Sequence, residues 1–223
     1  MCGRYVVTTP AEVPRTLFGL AEAEPIRPRW NVAPAQPVPV ITNRLPRRLE
    51  MFRRGLIPSW AKAPSIGNRM INARAETLAG KPSFRDALRR RRCVVLSDGF
   101  YEWREGPKPK TPMHIRLRGG GTMAFAGLFD TWRSPDGEVI DSCAIVTTDA
   151  NALMAPFHHR MPVILAPGAR EAWLAPGAVE PEEVRPLLVP FPPEAMEAFA
   201  VSRKVNSPAL DDPACAEPSP PGE

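Results

Sequence analysis

Membrane spans and disulfide frameworks are missing from this sequence. No apolar run is long enough to cross a bilayer, and no segment has the pattern of a secretory signal peptide. The four cysteines, Cys2, Cys93, Cys143 and Cys215, show neither CxxC spacing nor the density of a disulfide scaffold. We therefore expect a protein without a membrane partner in a reduced, cytoplasmic compartment, with Cys93 and Cys143 buried in apolar strands.

Metal and phosphate motifs are also missing. The sequence has three histidines, no HExxH motif and no cysteine spacing suited to zinc, so we expect no metal ion. The glycines at 119–121 join two predicted strands, which is typical of a turn and not of a phosphate-binding loop. No cofactor is expected.

Proline, by contrast, is abundant. The chain has 29 prolines in 223 residues, more than twice the average usage of about 5%. Turns and short extended segments should therefore dominate over long helices. Since the predicted strands outnumber the helices, we predict a single α+β domain with a curved, mostly antiparallel, barrel-like sheet and a few short helices. We place this domain at residues 1–210, followed by a disordered tail rich in proline and acidic residues at 211–223.

Local patterns predict the individual elements. Thr9 and Ser83 each have the sequence context of a helix cap, and Gly19 has that of a helix end. Further helices are predicted at 169–174 and 181–188. Alternating or continuous apolar runs predict strands at 38–42, 49–52, 93–97, 113–117, 123–128, 143–148, 163–165 and 196–205.

The N-terminal residues have distinctive chemistry. Removal of Met1 would leave Cys2 with an α-amine and a thiol on adjacent carbons. Their reference pKa values of about 8 and about 8.5 leave both groups partly deprotonated at neutral pH. Such an aminothiol can condense with an aldehyde to an imine and close to a thiazolidine, or attack a carbonyl directly. Taken alone, an ordinary translation start remains the simpler interpretation.

Several other side chains could support chemistry at a carbonyl. Glu102 stands between Tyr101 and Trp103, and aromatic surroundings favour a protonated carboxyl suited to acid catalysis. His158, beside His159, could relay protons near neutral pH, and nothing local decides between the two. Asn72 could hold a hydroxyl or an oxyanion, although an Asx turn is equally compatible.

The sequence also has an excess of positively charged residues. The net charge is +5, and Arg4, Arg74 and Arg160 each lie within two residues of a candidate chemical group. Guanidinium groups bind phosphates in bidentate fashion, so an anionic partner is compatible with the sequence. Trp30 and Trp60 could stack on bases, but burial in the core is the more usual place for a tryptophan.

Taken in order, these segments resemble the SRAP family, named for SOS-response-associated peptidase, whose known members shield abasic sites in DNA. No single segment is specific, but their joint order and spacing are. The matching stretches are 1–5 (MCGRY), 30–34 (WNVAP), 55–60 (GLIPSW), 72–77 (NARAET), 99–103 (GFYEW), 147–148 (TT), 158–162 (HHRMP) and 205–208 (VNSP).

The resemblance implies a single-domain monomer that binds abasic sites in single-stranded DNA, associated with the nucleoid in a bacterium. It implies removal of Met1 and a thiazolidine cross-link between Cys2 and the ring-opened sugar, with lyase-like or peptidase activity left open. Matching positions assign proton transfer to Glu102 and to His158 over His159, and assign one end of the site to Asn72. The implied DNA contacts are Arg4, Arg74 and Arg160 at the phosphates, and Asn31, Pro34, Trp60 and Thr147 along the cleft.

Two positions depart from the family pattern. Arg54 stands where the family usually has tryptophan, and Leu210 stands where it usually has asparagine; we expect both to affect the surface that wedges DNA apart. Two alternative functions stay open. An N-terminal-nucleophile amidohydrolase, glutaminase or peptidase would also use Cys2, and a noncovalent single-strand binder would use only arginines and aromatics.

Overall fold

The computed structural model describes residues 3–104 and 110–219, and the helices among them are short, as the proline content predicts. The helices are α1 (Glu12–Phe18), α2 (Arg85–Arg90), α3 (Pro167–Trp173) and α4 (Pro181–Val184), with short 3₁₀ segments between elements. The strands are β1 (Arg4–Val7), β2 (Arg29–Val32), β3 (Pro37–Thr42), β4 (Leu49–Arg54), β5 (Asn72–Arg74), β6 (Arg92–Ser97), β7 (Gly99–Arg104), β8 (Thr111–Leu117), β9 (Met123–Arg133), β10 (Val139–Asp149), β11 (Arg160–Pro162) and β12 (Met196–Ala200).

Five strands close into a barrel. The pairing runs β10–β4–β3–β6–β9 and returns from β9 to β10, so each of these strands has a neighbour on both sides. All the pairs in this ring are antiparallel except β10–β4, which is parallel. Beyond its barrel partners, β10 also pairs with β5 and β11. Closure removes the exposed edges that an open sheet of this composition would present.

A second sheet, in the order β12–β8–β7–β1–β2, packs against the barrel. The rings of Tyr5 and Phe100 from this sheet each meet the ring of Phe125 from the barrel edge-on, with centroids 6.2 and 6.0 Å apart. Cys93 and Cys143 are fully buried in the barrel, as predicted. The predicted α+β class, with a barrel-like and mostly antiparallel core, is confirmed. No helix among the described residues is long and apolar enough to cross a membrane.

Both helix caps predicted from local sequence are wrong. The α1 helix begins after Ala11 with no side-chain cap, and the Thr9 hydroxyl instead donates to the carboxylate of Asp98. The α2 helix begins after Phe84, again with no side-chain cap, so Ser83 does not cap it. The predicted end of α1 is confirmed, because Gly19 takes up the left-handed conformation with φ of 62°.

Two strand predictions near the C-terminus need correction. The strand expected at 163–165 lies earlier, at β11, and Ile164 makes only an isolated bridge to Phe125. The strand expected at 196–205 ends at Ala200 and is followed by a 3₁₀ turn. The described part of the segment after 210 contacts the second sheet: Cys215 is fully buried, and Pro218 bridges Val201.

Candidate functional site

Strands β1 and β7 bring the N-terminal segment to the candidate acid. Arg4 pairs with Tyr101 and Val6 with Gly99, and the same antiparallel register continued by one residue sets Glu102 opposite Gly3. Cys2 itself lies outside the described residues. Because Gly3 is the next residue of the chain, the pairing brings Glu102 close to the segment that contains the predicted nucleophile.

Glu102 has the environment expected of a general acid. Its side chain is only 5% exposed, and burial raises the pKa of its carboxyl above the ordinary value. The neutral carboxylic acid is favoured because a charged carboxylate is poorly solvated there. The expected burial of Glu102 is present, but its expected cause is not: side chains alternate along β7, so Tyr101 and Trp103, which pack in one cluster, lie on the opposite face.

A second group of predicted residues meets on β10. In the parallel β5–β10 pair, Asn72 lies beside Ile145 and Arg74 beside Thr147. Arg54, the last residue of β4, pairs with Cys143 in the same parallel sense. Asn72 and Arg54 therefore follow one another along β10, about 7 Å apart at the usual rise per residue.

His158 lies two residues before the start of β11. Its Nδ1 accepts a hydrogen bond of 2.9 Å from the backbone N–H of Arg160, and its ring stacks on that of His159 with centroids 4.3 Å apart. Partial burial lowers the pKa of His158, and the neighbouring His159 acts in the same direction. A neutral imidazole able to accept a proton is thereby favoured at neutral pH.

Arg160 is committed to protein groups. Its guanidinium donates to both carboxylate oxygens of Glu76, at 2.8 and 2.9 Å, to Asp149 at 2.9 Å and to the carbonyl of Thr147 at 2.7 Å. Its side chain is 6% exposed. In this conformation Arg160 holds β11 on β10 and orients His158, and its predicted contact with phosphate stays a prediction.

Arg4 and Asn31 bind the C-terminal segment. Arg4 donates to Asn31 Oδ1 at 2.6 Å and to the carbonyls of Val205 and Asn206 at 2.9 and 3.2 Å. The Asn31 amide donates to carbonyls along residues 205–210, and its side chain is fully buried. The structure therefore gives both residues an internal task, and their predicted DNA contacts stay predictions.

Three of the predicted DNA-contact residues are exposed to solvent. Arg74 and Pro34 are exposed, and Trp60 is 60% exposed. The Trp60 loop is anchored by the backbone N–H of Ser59, which donates to Asp130 at 2.9 Å. A tryptophan left open to solvent on a fixed loop can stack on an unpaired base.

Thr147 and Leu210 have defined positions. Thr147 is fully buried on β10, and its hydroxyl lies 3.4 Å from the carbonyl of Ala73. The Leu210 carbonyl accepts from Asn31, while its side chain is partly exposed. Thr147 thus acts within the β5–β10 pair in this conformation, and its predicted contact with the sugar region stays a prediction.

Arg54 was missed as an internal residue. It was expected to alter the DNA-wedging surface, but its side chain is only 1% exposed and donates to the carbonyl of Gly3 at 2.8 Å. This burial is unexpected, because an arginine side chain is seldom fully buried. Arg54 lies two residues after the buried Phe52 and shares its face of β4, but nothing in the sequence indicates the contact with Gly3, which is distant along the chain.

A groove of about 460 Å³ borders the Arg160 cluster, sharing Glu76 and Asp149 with it. It contains none of the four predicted catalytic residues. Its charged lining consists of Glu76, Asp149, Glu182 and Arg185, so acidic groups outnumber basic ones. This balance disfavours a phosphate backbone in the groove and directs attention to the Glu102 side of the molecule.

Comparisons with known proteins agree with the motifs. The family described as SOS response associated peptidase (SRAP) matches residues 1–208. The abasic site processing protein YoqW of Bacillus subtilis is 42% identical over 97% of this chain and 99% of its own length. The abasic site processing protein HMCES of Gallus gallus is 33% identical over 86% of this chain and 66% of its own length.

A solved structure shares the fold. A crystal structure of a protein from Bacteroides thetaiotaomicron superposes with a TM-score of 0.88 at 29% identity, covering 98% of this chain and all of that one. The family match spans all four predicted catalytic positions, which are Cys2 in the N-terminal segment, Asn72 on β5, Glu102 on β7, and His158 two residues before β11. The chain belongs to the SRAP family.

Proposed function

We propose that this protein recognises abasic sites in single-stranded DNA and bonds to them covalently through Cys2 after removal of Met1. The observation that supports this most directly is the β1–β7 register, which sets the buried Glu102, whose carboxyl pKa is raised by burial, opposite Gly3. Membership of the SRAP family, with relatives named abasic site processing proteins, supports the choice of substrate.

The proposed chemistry has two steps. The α-amine of Cys2 attacks the aldehyde of the ring-opened sugar, and loss of water gives an imine. The Cys2 thiolate then adds to the imine carbon, the nitrogen takes a proton, and a thiazolidine ring results. Glu102 supplies the proton that lets the hydroxyl leave as water, and His158 accepts a proton during ring opening of the sugar. Asn72 donates to the oxygen that develops negative charge.

DNA binding is proposed to depend on the exposed outer residues. Arg74 offers a free face for a phosphate, and Trp60 offers a surface for an unpaired base. An abasic position has no base to read, so recognition should depend on backbone and shape with little sequence preference. The net charge of +5 is of the sign that attracts such a polyanion.

The test uses mature protein, with the loss of Met1 verified by intact-mass spectrometry. Incubation with abasic single-stranded DNA should give a band that survives denaturation without added reductant, and intact DNA should give none. Cys2→Ala retains an amine but no thiol, so any imine it forms should be recoverable only after borohydride reduction. Cys215→Ala, a change at another cysteine, serves as the matched control and should cross-link normally.

The alternatives give different results. A glutaminase would release ammonia from glutamine in a Cys2-dependent manner and leave abasic DNA unmodified. A noncovalent binder would retard the DNA in native gels but lose it on denaturation. If Cys2→Ala forms the reductant-free band as fast as the unsubstituted protein, the thiazolidine mechanism is refuted.

A further inference from the structure

Arg54 occupies an unusual position in the barrel. It is the last residue of β4, it pairs with Cys143 of β10, and its side chain is 1% exposed. A buried guanidinium is costly unless other groups compensate its lost hydration, so its retention calls for an explanation. An apolar side chain of similar volume would fill the same space without this cost.

Two contacts of its guanidinium lead to the N-terminal strand. Nη1 donates to the carbonyl of Gly3 at 2.8 Å, and the guanidinium carbon lies 5.0 Å from the centroid of the Tyr5 ring. Gly3 and Tyr5 are two residues apart, which places them on the same face of an extended strand. Arg54 therefore fastens the barrel to that face of the segment directly after Cys2.

Its charge acts on the same neighbourhood. Burial lowers the pKa of Arg4 on β1, and the positive charge of Arg54 contributes to this lowering. Burial raises the pKa of Cys143 on β10 to about 12, and the charge of Arg54 opposes that rise. The charge of Arg54 thus affects the pKa values of groups on β1 and β10.

We propose that Arg54 is a positioning residue for Cys2: by holding the Gly3 carbonyl, it fixes the backbone that presents the aminothiol beside Glu102. This rests on the proposed function, since it assumes that Cys2 reacts there. Tryptophan, usual at this position in the family, has one N–H to donate where arginine has five. The chain thus has its own means of ordering the N-terminal segment.

The test compares Arg54→Met and Arg54→Lys with Arg53→Met as the matched control. Arg53 is the preceding residue on β4 and has the same charge, but it points to the other face, where it binds Ala35 and Asn68. Single-turnover cross-linking is followed across DNA concentrations, which separates the maximal rate from half-saturation. Hydrogen exchange of the N-terminal peptide through Val7 is measured on the same proteins without DNA.

In Arg54→Met, the maximal cross-linking rate should fall about tenfold or more, because small misplacements of a reacting group are costly, while the half-saturating DNA concentration stays within about twofold. Hydrogen exchange should rise in the N-terminal peptide but not in β6 or β9, which also verifies folding. Arg54→Lys should recover part of the rate by donating to the same carbonyl. Arg53→Met should leave the maximal rate and the exchange unchanged.

The hydrogen-exchange measurement and the cross-linking measurement can each refute the proposal. Unchanged N-terminal exchange in Arg54→Met would overturn the positioning role, whatever the DNA result. An unchanged maximal rate alongside faster exchange would also overturn it. If the unsubstituted protein forms no cross-link at all, the proposed function fails, and the exchange arm alone then decides whether Arg54 orders the N-terminal segment.

Discussion

Replacing Asn31 with alanine should destabilise the protein far more than its position in a predicted DNA-binding motif suggests. The side chain is fully buried, and its amide donates to the carbonyls of Ser207 and Leu210 at 2.9 and 2.7 Å. Its Oδ1 accepts a 2.6 Å hydrogen bond from the charged Arg4. Asn31 is thus a junction between β2, β1 and the segment at 205–210.

The magnitude follows from these bonds. Each neutral hydrogen bond contributes about 1 kcal/mol net, and one to a charged group contributes about 1.5–3 kcal/mol. Because solvent can reach part of the released segment, we expect Asn31→Ala to lower the free energy of unfolding by about 3 kcal/mol. For a chain of this size, that corresponds to a fall in Tm of roughly 6–12 °C.

The assay combines calorimetry with hydrogen exchange. Exchange should accelerate at residues 205–211 before other regions respond. Asn31→Asp keeps the shape and the acceptor for Arg4 but loses both donors, so it isolates the contribution of the amide to the C-terminal carbonyls. Asn68→Ala is the control: Asn68 is exposed and accepts one hydrogen bond from Arg53, so its loss should cost less than about 0.5 kcal/mol.

One result would contradict the stability prediction. If Asn31→Ala leaves Tm unchanged but weakens binding to abasic single-stranded DNA, then the side chain turns outward to the ligand and the junction described above is irrelevant to stability. Loss of both properties in parallel, with faster exchange at 205–211, would mean that the C-terminal segment must be in place for DNA to bind.

Three further predictions concern the proposed site. The rate of cross-linking should fall at both ends of its pH profile, because Glu102 acts as an acid and His158 as a base. Glu102→Gln should remove the fall in rate at alkaline pH, and His158→Ala should remove the fall at acid pH. Each substitution should slow the reaction about 100-fold or more with little change in DNA binding. Arg74→Ala should weaken DNA binding and reduce the salt slope of log K by about 0.7, and an unchanged slope would remove Arg74 from the phosphate contacts. Burial alone would raise the pKa of Glu76, but the ion pair with Arg160 lowers it below the value in the unfolded chain. The pair therefore stabilises the fold at pH values above the unfolded pKa, and this stabilisation is lost as the pH falls through the pKa of Glu76 in the folded protein. Glu76→Gln should therefore cost about 1 kcal/mol at pH 7, discounted for its half-exposed carboxylate, and this loss should shrink as the pH falls through the folded pKa; a pH-independent loss would contradict the pair.

The fold class was predictable because strands have local signatures. The apolar runs in β3, β6, β8, β9 and β10 were all located from sequence, and the prolines correctly indicated short helices. Barrel closure was not predictable, since it depends on β9 pairing with both β6 and β10, and on the parallel β10–β4 pair. The Thr9 cap failed for a related reason: Thr9 binds Asp98, 89 residues away, in place of its own helix.

The residue types of the site were predictable from the sequence, but the role of each residue was not. Sequence assigns the same task to Arg4, Arg74 and Arg160, because all three have the same charge and lie in family motifs. The structure separates them: Arg160 is surrounded by two carboxylates, Arg4 is bound to backbone carbonyls, and Arg74 is exposed.

This separation has an electrostatic consequence. A guanidinium paired with Glu76 and Asp149 lies in a region whose summed charge is no longer positive, so it attracts a phosphate far less than an unpaired one. Since paired and unpaired arginines are identical in sequence, charge counting overestimates the phosphate contacts that the site can make. Binding that is weakly dependent on salt, with specificity arising from the covalent step, is therefore what this arrangement favours.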